Sequence, residues 1–424
     1  MSRPATTGHW QEIATTGAVR IYNLGVSLIS LVVIARLLGP TGQGTIAAAV
    51  SWAGLVATIA GLSLGQVSQH RIQSLQKTAW DGRLFGSMLV FMLTLTTLAY
   101  VFVFTIHLLS NGNFFGQLPT SVLVLAFLLL PLLIWDEYSS HLLTAAGQLR
   151  VYNRLLVIGR TIGLLLMLVL VGGFDTGVHG VLGASLAGQS LIATGSFYTL
   201  WRLHKPGWRV GREEIMALLN GALRLHPNTI GAFLLASSSV LVLSSLDDKS
   251  AVGWYHVAWQ MITILTIVPQ AAALVLYARI ADLGPNEVWP AQKRIIAGIM
   301  AIMLGLIAVS YAIGPNVIVV LAGESFLPSG KLFQILLPAL LGMSLAQLMA
   351  PQWISRGIFV PTSLITFTTA AVHLVTTVLF VKAYGAEGAA WATALTLSVL
   401  PLLVQGAFGW WCERRYRTTQ AANS

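Results

Sequence analysis

Charge is what this sequence has least of. Only 9% of its 424 residues are Asp, Glu, Lys or Arg, where a soluble domain carries about 25%. So few charges cannot cover a water-facing surface of this size, which excludes soluble multidomain enzymes and disordered proteins. Cysteine is nearly absent as well. The single Cys412 permits no intramolecular disulfide, so secreted disulfide scaffolds are excluded and a Cys-type metal cluster is not expected. The chain has no Gly-x-x-x-x-Gly-Lys loop and no His-Glu-x-x-His, and its one Gly-x-Ser-x-Gly, Gly61 to Gly65, lies within an apolar span. The two absences argue against a built-in ATPase or zinc peptidase, and no site for covalent catalysis stands out. No cofactor and no metal are implied. Nucleic acid is not an expected partner either, since the net charge of +10 has a simpler explanation in membrane topology.

Apolar residues are abundant, at 56%. A bilayer-crossing helix needs about 20 mostly apolar residues. That ruler gives twelve spans: 13–38, 44–66, 84–109, 120–146, 154–172, 180–201, 227–246, 252–281, 295–322, 332–354, 358–381 and 388–411. They consume most of the chain and leave no connection long enough to fold alone. The polar start MSRPATTGHWQE leads into a long span with no small-residue cleavage pattern, so a removable signal peptide is not expected.

Lys and Arg orient the spans. With the first residue in the cytoplasm, one side receives Arg71, Lys77, Arg83, Arg150, Arg154, Arg202, Lys205, Arg209, Arg212, Arg224, Arg279, Lys293, Arg294, Arg356, Arg414, Arg415 and Arg417. The other receives only Arg36, Lys249, Lys331 and Lys382. Cytoplasmic loops carry the excess of Lys and Arg, so both termini are expected in the cytoplasm of a multi-pass inner-membrane protein. Trp201, Trp208, Trp289 and Trp410 near span ends read as an interfacial belt.

The chain also repeats itself weakly. Gly17-Ala18-Val19-Arg20 opens the first span and Gly221-Ala222-Leu223-Arg224 the seventh, an offset of 221 − 17 = 204. The stretch from Gly177 into the sixth span matches that from Gly385 into the twelfth, at 385 − 177 = 208. Pro131 and Pro338 each close an apolar run, at 338 − 131 = 207. Six spans between copies make the repeats parallel, related by an axis along the membrane normal. The expected fold is an all-α polytopic membrane protein with twelve transmembrane helices, in two pseudo-symmetric six-helix lobes around a central cavity. Residues 1–201 form the N-terminal lobe, 202–226 a cytoplasmic linker, 227–411 the C-terminal lobe and 412–424 a basic cytoplasmic tail. Such an architecture suits a transporter that rocks one lobe against the other.

Ionisable groups at membrane depth are costly and therefore functional candidates. The first span carries Arg20 and Asn23, the fourth Asp136, Glu137 and His141, the fifth Arg160 beyond Arg154 at its start. Asp136 and Arg160 lie eleven and ten residues from the turn joining their spans, about 15 Å deep at 1.5 Å per residue. They are therefore within reach of each other across the hairpin, either as a locking ion pair or as working groups. Adjacent residues point about 100° apart on a helix, so one of Asp136 and Glu137 is left over as a candidate proton or sodium acid. Arg20, near the interface, either snorkels to it or holds an anionic headgroup, for which a planar guanidinium is suited. In the seventh and eighth spans His226, Asn228, Trp254, Tyr255, His256, Trp259 and Gln260 read either as helix packing or as an aromatic and amide surface for a sugar.

Several junctions resemble those of bacterial polysaccharide flippases of the multidrug/oligosaccharidyl-lipid/polysaccharide exporter superfamily. These are Ala35-Arg36-Leu37-Leu38-Gly39-Pro40 through Gly44, Gly253-Trp254-Tyr255, Pro269 with Tyr277-Ala278-Arg279, Gly323-Glu324-Ser325-Phe326 with Leu336-Leu337-Pro338, and Gly385 to Ala390. The ordered set runs from about Thr16 to Trp411. The resemblance implies a flippase that carries an undecaprenyl-pyrophosphate-linked glycan, such as an O-antigen or exopolysaccharide repeat unit, across the bacterial inner membrane. It also implies a cationic cavity, here Arg20, Arg154 and Arg160, and coupling to an ion gradient. A polysaccharide polymerase and a chain-length regulator are the implied partners, beside the glycan and membrane lipid. Asp136-Glu137 fall outside the resemblance, so a coupling role there is particular to this chain. The two extra spans of peptidoglycan-precursor flippases are missing. A drug or metabolite/cation antiporter of the same fold is the alternative, and a non-transporting scaffold of an assembly complex a third.

Overall fold

The computed structural model describes residues 8–74, 82–205, 207 and 212–423. Lys77, Trp208 and Arg209 lie outside them, as does the side chain of Arg212. The described residues are almost all helical, with no strand among them. Inside a bilayer no water is available to backbone N–H and C=O groups, so an apolar segment must satisfy them within itself, as a helix does.

Helices α1 (Gly8–Gly61), α2 (Leu64–Ser74), α3 (Gly82–Leu109), α4 (Thr120–Leu128), α5 (Leu130–Ala145), α6 (Leu149–Met167) and α7 (Gly177–Leu203) come first. Helices α8 (Arg212–Leu246), α9 (Lys249–Leu265), α10 (Ile267–Leu283), α11 (Pro285–Ala322), α12 (Leu327–Leu336), α13 (Ala339–Ser355) and α14 (Phe359–Asn423) follow. Among the described residues eight helical stretches are long and apolar enough to cross a membrane. A ninth is added if the pair Glu324–Leu336 and Ala339–Ser355, bent by 55°, counts as one span. Two of the eight are long enough for two crossings. Gly17–Gly61 has 45 residues and Phe359–Gln420 has 62, whereas a hydrocarbon core about 30 Å thick takes about 20. Each is interrupted by one non-helical glycine, Gly39 (φ 65°) and Gly385 (φ 56°). The crossing expected at 180–201 lies in α7, which is not among the eight. The outward faces are apolar: on α3, Leu93, Leu98, Val101 and Phe104 are all exposed. Lipid, not water, is the environment such a surface fits.

The chain forms two compact units, Met1–Leu38 with Thr45–Ile230, and Gly39–Gly44 with Gly231–Ser424. In the first, α6 and α7 meet backbone to backbone. A Cβ on Gly159 would lie 2.7 Å from the Gly188 carbonyl, and one on Gly188 would lie 2.6 Å from the Gly159 carbonyl. Small residues of this kind let membrane helices approach closely.

In the second unit the short Gly39–Gly44 segment packs on α9. A Cβ on Gly44 would run into the Lys249 carbonyl, and one on Gly253 into the Pro40 carbonyl. Thr41 Oγ1 and Ser250 Oγ lie 2.9 Å apart, and Gln43 Nε2 lies 2.9 Å from His256 Nδ1. The two junctions picked out by resemblance are thus the two faces of one joint.

Local geometry follows the internal repeat at several points. Gly177 and Gly385 both take positive φ, 59° and 56°, a region that glycine alone enters without cost. Pro131 starts α5 just after a break at Leu129, and Pro338 caps α13 at the bend after α12. Gly147 (φ 71°) ends α5 as Gly357 (φ 69°) ends α13.

Three expectations need correction. The span at 44–66 is not straight: it breaks at Leu62 and Ser63, with φ 51° and 53°. The polar stretch after it, expected as a connection, continues as α2 up to Ser74. Trp289 is no belt residue, for it is 3% exposed in a cluster with Met349, Trp353, Phe408 and Cys412. Its Nε1 donates to Glu413 Oε2 at 2.8 Å. Trp201 and Trp410 are exposed, and the Arg414 guanidinium carbon sits 3.8 Å from the Trp410 ring centre.

Candidate functional site

The polar groups of the first unit collect around α5. Asp136 and Glu137 sit there in mid-helix, where Leu130–Ala145 supplies every backbone bond and leaves the carboxylates to find partners elsewhere. Asp136 finds Tyr152: the phenol of α6 donates to Oδ1 at 2.9 Å. Arg160 acts on Asp136 through its charge without forming a salt bridge to it. The pairing expected across the hairpin is therefore replaced by a tyrosine hydrogen bond. Arg160 and Arg154 are exposed on α6.

Glu137 faces the break between α1 and α2. Its two oxygens approach the backbone amides of Gly65 and Gln66. Both are buried, and neither completes a well-directed hydrogen bond. Gly65 permits this approach, because a Cβ there would lie 3.0 Å from Glu137 Oε1 and from His141 Cδ2. His141 Nδ1 is 2.5 Å from Gln69 Oε1 on α2.

The remaining polar groups of the break are held from two sides. Tyr138 OH donates to the Gly61 carbonyl at 3.0 Å, fully buried. Ser63 Oγ donates to Thr229 Oγ1 at 2.8 Å and lies 3.2 Å from His226 Nδ1 on α8. His226 also reaches the Ile59 carbonyl.

A second group joins α1 to α6. Tyr22 OH and Thr161 Oγ1 are 2.5 Å apart, which sets the Arg20–Asn23 turn beside the Arg160–Thr161 turn. Arg20 is exposed, and Asn23 is half-buried with its Oδ1 enclosed and without a partner. Two guanidiniums on neighbouring apolar helices are costly against lipid, and they suit an anion in an aqueous cleft.

The candidates of the second unit are drawn largely into packing. Tyr255 is 2% exposed, its OH 2.8 Å from Thr393 Oγ1, and Thr393 lies 2.9 Å from Ser239 Oγ. Trp259 is buried. Trp254 is partly exposed and donates from Nε1 to the Ser325 carbonyl at 2.9 Å. Gln260 is half-buried, its Nε2 3.3 Å from His256 Nε2, and Asn228, which belongs to the first unit, is half-buried as well. No group of three or more His, Cys, Asp or Glu side chains among the described residues is arranged to hold a metal ion.

Known proteins agree with this architecture. The family model described as polysaccharide biosynthesis protein matches residues 9–283. The chain belongs to that family. It is 23% identical over 409 residues to a probable low-salt glycan biosynthesis flippase, Agl15, of Haloferax volcanii, over 90% of this chain and 80% of that protein. Among solved structures, the lipid II flippase MurJ in an inward closed conformation gives a TM-score of 0.73 at 13% identity, over 91% of this chain and 86% of that one. An inward-facing multidrug resistance MATE family transporter of the MOP superfamily gives 0.69 at 16%, over 96% of this chain and all of that one. At such identities the two structures speak for the fold alone. The chain is a multi-pass membrane transporter of polysaccharide biosynthesis and not an enzyme.

Sequence reasoning singled out both acids and all three arginines as candidates. It missed Tyr152 and the helix break. Tyr152 stands 16 residues from Asp136, about four and a half helical turns had the chain run straight, and only the hairpin brings the two together. No proline marks the break, and Leu62 and Ser63 are ordinary residues forced into positive φ by the bonds that hold them.

Proposed function

We propose that this protein is a flippase for a polyprenyl-pyrophosphate-linked oligosaccharide, an O-antigen or exopolysaccharide repeat unit, working by alternating access. Its twelve spans form two six-helix lobes with both termini in the cytoplasm of a bacterial inner membrane. The 45- and 62-residue helices, each with one interrupting glycine, support more crossings than a count of continuous helices gives. The observation that carries the functional reading is the Arg20 and Arg160 pair. Two exposed guanidiniums stand on neighbouring turns that Tyr22 and Thr161 tie together. Arg154 lies on the same helix, six residues before Arg160. A pyrophosphate offers oxygens to several such forks at once, and the family match and the Agl15 relative are of glycan biosynthesis. Asn23, Asn228, Trp254 and Gln260 are the proposed contacts for sugar, with Asp136 or Glu137 coupling an ion. A polymerase and a chain-length regulator would receive the product.

The experiment is a deletion strain complemented by wild type, Arg160→Ala, Asp136→Ala and the double variant, scored for surface glycan with membrane protein level controlled. Loss of glycan in the deletion and in Arg160→Ala, without recovery in the double variant, is the expected outcome. Recovery in the double variant would show the two residues to be a structural pair. An unchanged deletion strain would refute the reading and turn attention to cation antiport. That second reading draws on the buried acids of α5, which suit exchange of protons for an organic cation.

A further inference from the structure

Glu137 is an anomaly among the acids of this chain. Both its oxygens are enclosed, and neither has a properly formed hydrogen bond. A carboxylate in that position is untenable unless a proton or cation neutralises it. The place it faces is equally unusual. Between Gly61 and Leu64 the helix is interrupted within an apolar stretch, which releases backbone groups that a continuous helix would consume. Two of the acceptors are taken, Ile59 by His226 and Gly61 by Tyr138. The donors at the start of α2, the Gly65 and Gln66 amides, are left for Glu137, and they lie close without closing the bonds.

We propose that Glu137, rather than Asp136, is a proton-binding site, neutral in this conformation, and that losing its proton draws α5 and the start of α2 together. The step balances simply: the O–H bond of the carboxyl breaks, the proton leaves to water, and the carboxylate accepts from the two amides. An anion at the first turn of an eleven-residue helix is favoured by its N–H groups and dipole. Proton loss thereby becomes movement of one helix against another. Its use in driving transport rests on the transporter reading above.

The charged and titratable neighbours are few. Asp136 is next in sequence, and Tyr138 and His141 flank Glu137 on α5. His70 and Arg71 lie on α2, and His226 on α8 holds the far side of the break. Asp136 itself is held by Tyr152 and felt by Arg160, so the two acids have separate partners.

The test uses the full chain in nanodiscs. Infrared spectra at neutral pH are expected to show the carbonyl stretch of a protonated carboxylic acid in wild type and in Asp136→Asn, and to lack it in Glu137→Gln. Glutamine has the shape of protonated glutamate, so this variant is expected to fold. Hydrogen exchange of residues 62–67, compared between wild type and Glu137→Gln at each pH, is expected to diverge only at alkaline pH, with wild type the better protected. A band that survives in Glu137→Gln, or that appears in wild type only after sodium is removed, would overturn the proposal. So would exchange that is the same in both proteins throughout. Neither measurement uses a glycan, so the proposal and the flippase reading fail separately. In cells, surface glycan is expected to be lost in Glu137→Gln and retained in Glu137→Asp at equal protein level. Normal glycan in Glu137→Gln would show that the proton does not drive transport.

Discussion

Tyr152 shows how one hydroxyl decides what an acid is able to do. Its bond to Asp136 Oδ1 supplies that carboxylate's partner from the next helix. Removing it by Tyr152→Phe leaves a half-buried acceptor short of a donor, at a cost of about 1–3 kcal/mol. Thermal unfolding of the detergent-solubilised variant is expected to show the loss, and Asp136→Asn, which keeps an acceptor for Tyr152, is expected to lose less. Equal midpoints for Tyr152→Phe and wild type would disprove the partnership. At this scale the sequence was readable wherever cost alone marks a residue. Asp136, Glu137, Arg20 and Arg160 stand out because ionisable groups are rare at membrane depth. Tyr152, Gln69 and Thr161 do not, since polar neutral residues are common in such helices and only their positions in space assign them partners. The aromatic residues of α9 admitted two readings, packing or a sugar surface. Trp254, Tyr255 and Trp259 have the spacing of a sugar platform, yet Tyr255 and Trp259 are buried.

Among elements, the contact of Gly39–Gly44 with α9 makes the sharpest demand. A methyl group at either Gly44 or Gly253 meets backbone carbonyl, not a side chain able to swing aside. Overpacking of this kind costs typically 1–3 kcal/mol, occasionally more. Gly253→Ala is therefore expected to lower the amount of protein recovered from the membrane and its unfolding temperature. Gly305→Ala, with open space around it, is expected to do neither. Finding the two alike would show that the joint is loose. The presence of these helices was legible from apolar length, and several of their breaks from Pro131, Pro338 and the paired glycines. The interruption at Leu62 and Ser63 was not, because its cause lies in Tyr138, Thr229 and His226, far away along the chain.

For the whole molecule, the distribution of Lys and Arg predicts both termini on one side. A fluorescent-protein fusion at Ser424 is expected to glow, and an alkaline phosphatase fusion there to stay inactive, as cytoplasmic placement requires. The reverse pattern would invert the topology and with it the side from which Arg20 is reached. The internal repeat was visible as three short matches, and the matching turns at Gly177 and Gly385, and at Gly147 and Gly357, are its conformational trace. The unit boundary was harder to see, since six residues of the early chain keep company with the later half.

Those six residues bear on how such a gene can be divided. A cut in the connection after Leu203 would separate two polypeptides but not two self-sufficient bodies, because Gly39–Gly44 belongs with the C-terminal unit while its flanks belong with the N-terminal one. The early half thus carries a borrowed piece of its sibling, and the later half alone is a molecule with a missing stitch. Halves encoded on separate plasmids should rescue each other when made together and be degraded when made singly. A chain laced in this way cannot easily be unpicked into two independent pieces.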